Sequence, residues 1–190
     1  MERNNSPRVL LGVTGGIAAY KSPELVRRLT ERGCEVQVVM THGARQFVSP
    51  ITFQAVSGRR VREDLWDQDA EGAMGHIELA RWANVIVVAP ATAHFLGSLA
   101  AGLAPDLLGT LCLATTAPVV LAPAMNQIMW AHPAVQANRA LLESRGVRFL
   151  GPAAGDQACG EVGPGRMMEP ADIASEIGRA SCRERVFVGV

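Results

Sequence analysis

Short aliphatic runs, each closed by small or polar residues and followed by an amphipathic stretch, recur along the chain. Residues 9–14 form the first run, Gly15-Gly16 breaks it, and a helical pattern follows over residues 18–32 with Leu25, Val26 and Leu29 on one face. Gly33 closes that helix, and residues 35–41 read as a second strand whose valines suit a pleated, buried surface. Helices are expected near 44–47 and 51–56, then an irregular stretch over 58–75 and a short helix at 77–82. Residues 85–89 make the third strand, with helices near 93–101 and 106–114 after it. A strand at 119–122, a helix over 133–145 and a strand at 147–150 continue the alternation.

The strand runs show no polar alternation, so both faces of each strand are covered. That predicts an α/β fold, a single-domain doubly wound parallel sheet in three layers. Such sheets bind ligands outside the carboxyl ends of their strands. The loops at 14–18, 41–44, 90–95 and 123–130 are therefore the ones to inspect.

Composition narrows the partners. A chain of 190 residues is the size of one domain. Its 18 basic and 18 acidic residues balance, which argues against a nucleic-acid patch or a basic membrane face and leaves small molecules and copies of itself. Between Arg81 and Arg139 only Asp106 is formally charged, yet Pro90, Gly97, Gly102, Pro105 and Pro118 interrupt too often for a spanning helix of about 20 apolar residues. This stretch is expected to be core plus a subunit contact. Cys34, Cys112, Cys159 and Cys182 form no Cys-x-x-Cys pair, and residues 1–8 lack a signal-peptide apolar region, so a reduced, cytoplasmic chain is expected. No spacing among the four histidines suggests a metal site. Residues 178–190 carry three arginines and one glutamate, complete no helix face and depart from the preceding composition. They are expected to be an artefact of cloning or sequencing, leaving 1–177 as the functional domain.

Candidate chemistry sits in the crevice loops. Small residues at the first strand-to-helix junction, Gly15, Gly16 and Ile17, expose backbone N–H groups that suit a phosphate, although a tight turn alone explains the glycines equally well. The spacing lacks both Gly-x-Gly-x-x-Gly and Gly-Lys-Ser/Thr. Thr41 and Thr92 offer hydroxyls to the same phosphate. His94 lies where a ligand is reachable, whereas His42 and His132 read as surface or capping residues, and His76 starts a short helix. Asn126 reads both as a helix N-cap and as an amide able to recognise a carboxylate. Met125, Met129 and Trp130 are expected to pack around an apolar site, with Trp66 and Trp82 in the core. Cys159 lies among four glycines between 155 and 165, the setting of a thiol on a flap that closes over substrate. Cys34 and Cys112 read as small hydrophobes.

Five ordered motifs resemble the flavin-containing cysteine decarboxylases: Gly15-Gly-Ile-Ala-Ala-Tyr-Lys21, Gly75-His-Ile-Glu-Leu79, Pro90-Ala-Thr-Ala93, Pro123-Ala-Met-Asn126 and Ala158-Cys-Gly-x-x-Gly-x-Gly-Arg-Met167. The resemblance covers about residues 8–177. It implies a flavodoxin-like or Rossmann-like fold with noncovalent FMN, assembled into trimers with each flavin at a subunit boundary. By it, Gly15, Gly16, Ile17 and Thr41 meet the flavin phosphate, while Thr92, Ala93, His94, Phe95 and Ala124 line the flavin. His76, Asn126 and Cys159 are then catalytic, and Asn126, Asp156, Gln157, Ala158, Arg166 and Met167 bind substrate. The implied reaction is decarboxylation of 4'-phospho-N-pantothenoylcysteine in coenzyme A biosynthesis. Oxidation of the thiol-bearing carbon to a thioaldehyde lets the charge left by carbon dioxide spread onto sulfur; Cys159 protonates the ene-thiolate, and hydride returns. Alternatives are a peptidyl-cysteine oxidative decarboxylase, a flavin prenyltransferase and a noncatalytic flavin-binding regulatory subunit. The resemblance also admits a C-terminal phosphopantothenate–cysteine ligase in a longer protein, of which this chain is either the excised N-terminal half or a free-standing counterpart.

Overall fold

The computed structural model describes residues 6–66, 75–156 and 160–187, the last nine by backbone alone. Five parallel strands form its centre: β1 (Arg8–Val13), β2 (Glu35–Met40), β3 (Val85–Ala91), β4 (Val119–Pro123) and the two-residue β5 (Arg148–Phe149). Their order, β2-β1-β3-β4-β5, is the flavodoxin-like one, and it reverses direction between β1 and β3.

Alternation along each strand divides the core. Val9, Leu11 and Val13 join Val38, Val87 and Val120 on one face, under α1 (Ser22–Glu31), α2 (Pro50–Ser57) and α8 (Pro170–Phe187). Leu10, Ile86, Val88 and Leu121 join the other face, under α3 (His76–Trp82), α4 (Ala93–Ala100), α5 (Leu107–Ala114) and α7 (Pro133–Ser144). Gly12 sits under α5 because a methyl group there would lie 2.5 Å from Leu108 Cδ1. Both faces are thus apolar, which is why the strand sequences lack alternation.

The expected helix over 18–32 divides into a 3-10 turn, Ile17–Lys21, and α1. Pro23 is the reason, since it lacks an N–H and suits only a helix's first turn. Residues 42–46 likewise form a 3-10 turn rather than an α-helix. A short helix, α6 (Gln127–Ala131), follows Asn126 as its reading as an N-cap expects, and an antiparallel hairpin, β6 (Ala153–Asp156) with β7 (Val162–Arg166), arises where the sequence suggested only loop. Gly, Ala and Pro have poor strand propensity, so this hairpin takes its order from docking. The Met125 N–H donates to the Gly165 carbonyl at 3.0 Å, and a methyl on Gly163 would overlap the Gln127 amide. Beyond Gly178 the backbone stays helical to Phe187; Ala, Arg and Glu are strong helix formers. Trp66 is 81% exposed rather than core, its N–H held in a turn by Asp64 Oδ1. Trp82 is half-buried under the Arg8 and Arg59 guanidinium groups. Among the described residues, no helix is long and apolar enough to cross a membrane.

Leu11 is fully buried at the centre of the sheet. Leu11→Ala is expected to cost about 2–5 kcal/mol in urea denaturation, through lost transfer energy and the cavity left behind.

Candidate functional site

The chain reverses between β1 and β3, and there three loops converge. The register between β3 and β4 shifts past Val88, so the Ala89 and Pro90 carbonyls turn to other partners. Ser22 Oγ donates to the first at 2.7 Å and Thr14 Oγ1 to the second at 2.7 Å. Thr14 Oγ1 also accepts from the Thr92 N–H at 3.2 Å. These buried hydroxyls tie the ends of β1 and β3 together.

The loop after β2 closes onto the loop after β1 through bare backbone. A methyl on Gly15 would stand 2.7 Å from the Gly43 carbonyl carbon, a separation no real side chain tolerates. Thr41 Oγ1 accepts from the Ala44 N–H and Thr92 Oγ1 from the Phe95 N–H, each at 3.3 Å. Asp106 Oδ1 caps α5 by accepting from the Gly109 N–H at 2.8 Å. Local capping therefore fixes the Thr41, Thr92 and Asp106 side chains at these turns.

Between the loops lies a cavity of about 470 Å³ lined by Thr14, Gly15, Thr41, His42, Gly43, Thr92, His94, Phe95, Ser98, Leu99, Leu103, Pro105, Asp106 and Gly109. Its volume falls within the roughly 300–1,000 Å³ of small-molecule sites. Hydroxyls and glycine backbone form one part of the wall, and Phe95, Leu99, Leu103 and Pro105 supply an apolar part. Of the expected cofactor residues, Gly15, Thr41, Thr92, His94 and Phe95 line it; Gly16, Ile17, Ala93 and Ala124 lie on the same loops but not among the lining residues.

His42 is exposed, as its reading as a surface residue expects, and also lines the rim of this wall. Arg45 Nη2 lies 2.7 Å from His42 Nδ1. A guanidinium only donates, so Nδ1 is the acceptor in this contact. Sequence reasoning also missed the α4–α5 segment, whose signal was Asp106, the lone charge of a 57-residue stretch, three residues before a glycine.

A second polar group lies beside the end of β4. Asn126 caps α6, its Oδ1 accepting from the Ile128 N–H at 2.8 Å. Its Nδ2 donates to Glu161 Oε2 at 2.7 Å, and Gln127 Nε2 reaches the same oxygen at 3.4 Å. Sequence reasoning passed over Glu161. His132 caps α7 as expected. His76 is half-buried at the first position of α3 and is not among the residues lining the cavity.

The remaining assigned residues are dispersed. Asp156 is exposed at the end of β6, and Met167 is buried in the core. Arg166 Nη2 pairs with Glu169 at 3.1 Å, and Lys21 Nζ donates to the same carboxylate oxygen at 2.6 Å. The Lys21 hydrogen bond is the main cause holding the Glu169 carboxyl below its ordinary value. Its small stabilisation is therefore present above the usual glutamate range and fades as pH falls through the lowered value. Gln157, Ala158 and Cys159 lie outside the described residues. Cys34 and Cys112 are buried, and burial, with the Asp106 carboxylate second, pushes the Cys112 thiol up to about 12. A thiol so placed stays protonated and inert.

Comparison with known proteins gives this geometry a context. The pattern of the Flavoprotein family matches residues 1–181. The chain is 58% identical over 168 residues to the Coenzyme A biosynthesis bifunctional protein CoaBC of Vibrio cholerae, covering 88% of this chain and 42% of that one. It thus spans about two-fifths of the length of that relative. Among solved structures it is similar to a cysteine-to-serine variant of PPC decarboxylase complexed with pantothenoylaminoethenethiol, with a TM-score of 0.80 and 33% identity over 98% of this chain and 100% of that one. The FMN-dependent cysteine decarboxylase SpaF superposes with a TM-score of 0.79 at 34% identity, covering 95% of this chain and 98% of that one.

The contact between the first two loops is steric and directly testable. Gly15→Ala is expected to lower stability by about 1–3 kcal/mol in urea denaturation, the usual cost of overpacking. Gly16→Ala, whose methyl would meet only Thr92 Cγ2 at 3.5 Å, should leave stability nearly unchanged.

Proposed function

The chain belongs to the Flavoprotein family, and from that membership we propose that it catalyses FMN-dependent decarboxylation of 4'-phospho-N-pantothenoylcysteine to 4'-phosphopantetheine, a step of coenzyme A biosynthesis. One observation carries the reading furthest: a cavity with a hydroxyl-and-glycine wall stands at the β1–β3 reversal, and the neighbouring β4 turn presents an amide that holds a carboxylate. Cofactor and acid substrate then have adjoining places.

The residues fit FMN. Backbone at Gly15 and Gly16 with the Thr41 and Thr92 hydroxyls would hold its phosphate, and Phe95, Leu99, Leu103 and Pro105 would receive the ring. When bound, FMN supplies reversible two-electron oxidation at the thiol-bearing carbon of the substrate. Asn126 orients the substrate carboxylate through Nδ2, its Oδ1 being committed to the Ile128 N–H. His76 orients the substrate or moves its proton, and Cys159 delivers a proton to the carbon that has lost carbon dioxide. The apolar wall excludes water, which strengthens each of these polar contacts.

The assembly in this proposal is a trimer or a multiple of trimers. Leu103, Leu113, Ile128 and Met129 are exposed within the stretch that carries no charge but Asp106, which suits a subunit boundary. The reading extends to a cytoplasmic enzyme and, in a longer protein, to a fused phosphopantothenate–cysteine ligase, which the bifunctional name of the relatives supports.

Incubating the purified, FMN-loaded protein with phosphopantothenoylcysteine should give a product lighter by one carbon dioxide in mass spectrometry; recovery of intact substrate would reject the reading. His76→Asn should retain flavin and lose about 10²–10⁴-fold in kcat, the range for a missing acid–base group. Cys159→Ser should retain flavin but accumulate an oxidised, decarboxylated species with absorbance distinct from FMN. Normal product from that variant would remove Cys159 from the mechanism.

A further inference from the structure

Among the described residues, two contacts set the orientation of the Asn126 amide. The Ile128 N–H requires an acceptor and the Glu161 carboxylate requires a donor, so Oδ1 faces the first at 2.8 Å and Nδ2 the second at 2.7 Å. Reversing the amide would break both contacts. Gln127 Nε2 adds a longer contact, 3.4 Å, to the same Glu161 oxygen. The hairpin bearing Glu161 is itself seated on the turn by the 3.0 Å bond from the Met125 N–H to the Gly165 carbonyl and by the close approach of Gly163 to Gln127. Glu161 therefore meets Asn126 from a docked strand, with a short, charge-assisted bond.

The decarboxylase reading gives that same amide to the substrate carboxylate. We propose that Glu161 is an internal competitor for this carboxylate, a specificity-determining residue that yields the Asn126 amide to an incoming acid and takes it back once carbon dioxide has left. The inference rests on the proposed function, which supplies the acid substrate.

The physical case is one of exchange. Nδ2 carries two N–H donors, but a substrate carboxylate drawn to the second stands close to the Glu161 carboxylate on the first; the like charges repel, so the Glu161 side chain rotates away when the substrate acid arrives. One charge-assisted bond replaces another, and Asn126 never stands desolvated without an acceptor. Only ligands with a carboxylate can offer that exchange. The decarboxylated product cannot, so Glu161 returns without contest and the product loses its anchor at this position. Apparent affinity for the acid is lowered by the fraction of molecules in which Glu161 holds the amide.

Calorimetric titration of the purified full chain, FMN-loaded, with two probes tests this. N-pantothenoylserine carries the carboxylate but no thiol to oxidise, and N-pantothenoylethanolamine differs from it only in lacking the carboxylate. Glu161→Ala should tighten binding of N-pantothenoylserine about three- to tenfold, corresponding to Glu161 holding the amide in most molecules, and leave N-pantothenoylethanolamine within about twofold. Glu161→Gln, which keeps the shape but not the charge, should move the same way by less, and serves if the alanine variant does not fold. Unchanged or weaker binding of N-pantothenoylserine in the variants, or no binding of it to any form, overturns the proposal; weaker binding would make Glu161 a residue that holds Asn126 in place. Loss of carbon dioxide from phosphopantothenoylcysteine is a separate readout. Its absence would remove the decarboxylase reading, whereas turnover with no effect of Glu161 on the serine ligand would remove this inference alone.

Discussion

The Thr14 hydroxyl is the tie on which the site depends. It is 2% exposed, donates to the Pro90 carbonyl and accepts from the Thr92 N–H. One side chain thereby satisfies two backbone groups that the register shift in β3 leaves without β4 as a partner. A parallel sheet leaves its carboxyl edge ragged wherever the chain reverses. Here the raggedness is converted into a fixed spacing between the β1 and β3 loops, and the Gly15–Gly43 contact sets the spacing to β2 by backbone thickness alone. The cavity is the space those distances leave.

Caps connect this scaffold to chemistry. Thr41, Thr92, Asp106 and Asn126 each spend an acceptor on a backbone N–H within three residues. A hydroxyl that accepts in a cap still owns a proton, and an amide whose oxygen is engaged still points its nitrogen outward. Capping thus orients the donor of Thr92 and Asn126 while costing the site nothing it needs. It also leaves room for the two roles that the sequence reads together at Asn126, cap and carboxylate-recognising amide.

How much of this was legible in the sequence depended on the range of the forces involved. Aliphatic runs report burial on both faces, so the five strands, their order of appearance and the crevice loops could be read directly. Caps are local as well, and Asn126 and His132 were readable for that reason. Glu161 was not, since its meaning comes from a partner 35 residues away across a hairpin with no strand-like composition. Met167 failed differently: its motif neighbours suggested substrate, while its own side chain packs in the core beside Ile173 and Ile177. Trp66 was misplaced because aromatic bulk predicts burial only where an element holds the residue against the sheet.

The two polar centres are built on different principles, and this bears on how they work together. The cavity is walled by the loops at the ends of β1, β2 and β3 and by α4 with the start of α5, elements packed on the sheet. Among the described residues, the Asn126 centre joins a strand end to a hairpin by the Met125–Gly165 backbone bond, the Glu161 carboxylate and the packing of Gly163 on Gln127. A preformed pocket suits a cofactor retained through many turnovers, because ordering costs are met once, on folding. In the proposed reaction, a side-chain contact at Asn126 suits a substrate that must enter and leave at every turnover. The two centres stand at the ends of adjacent strands, β3 and β4, so under the proposed function one sheet edge would carry both cofactor and substrate.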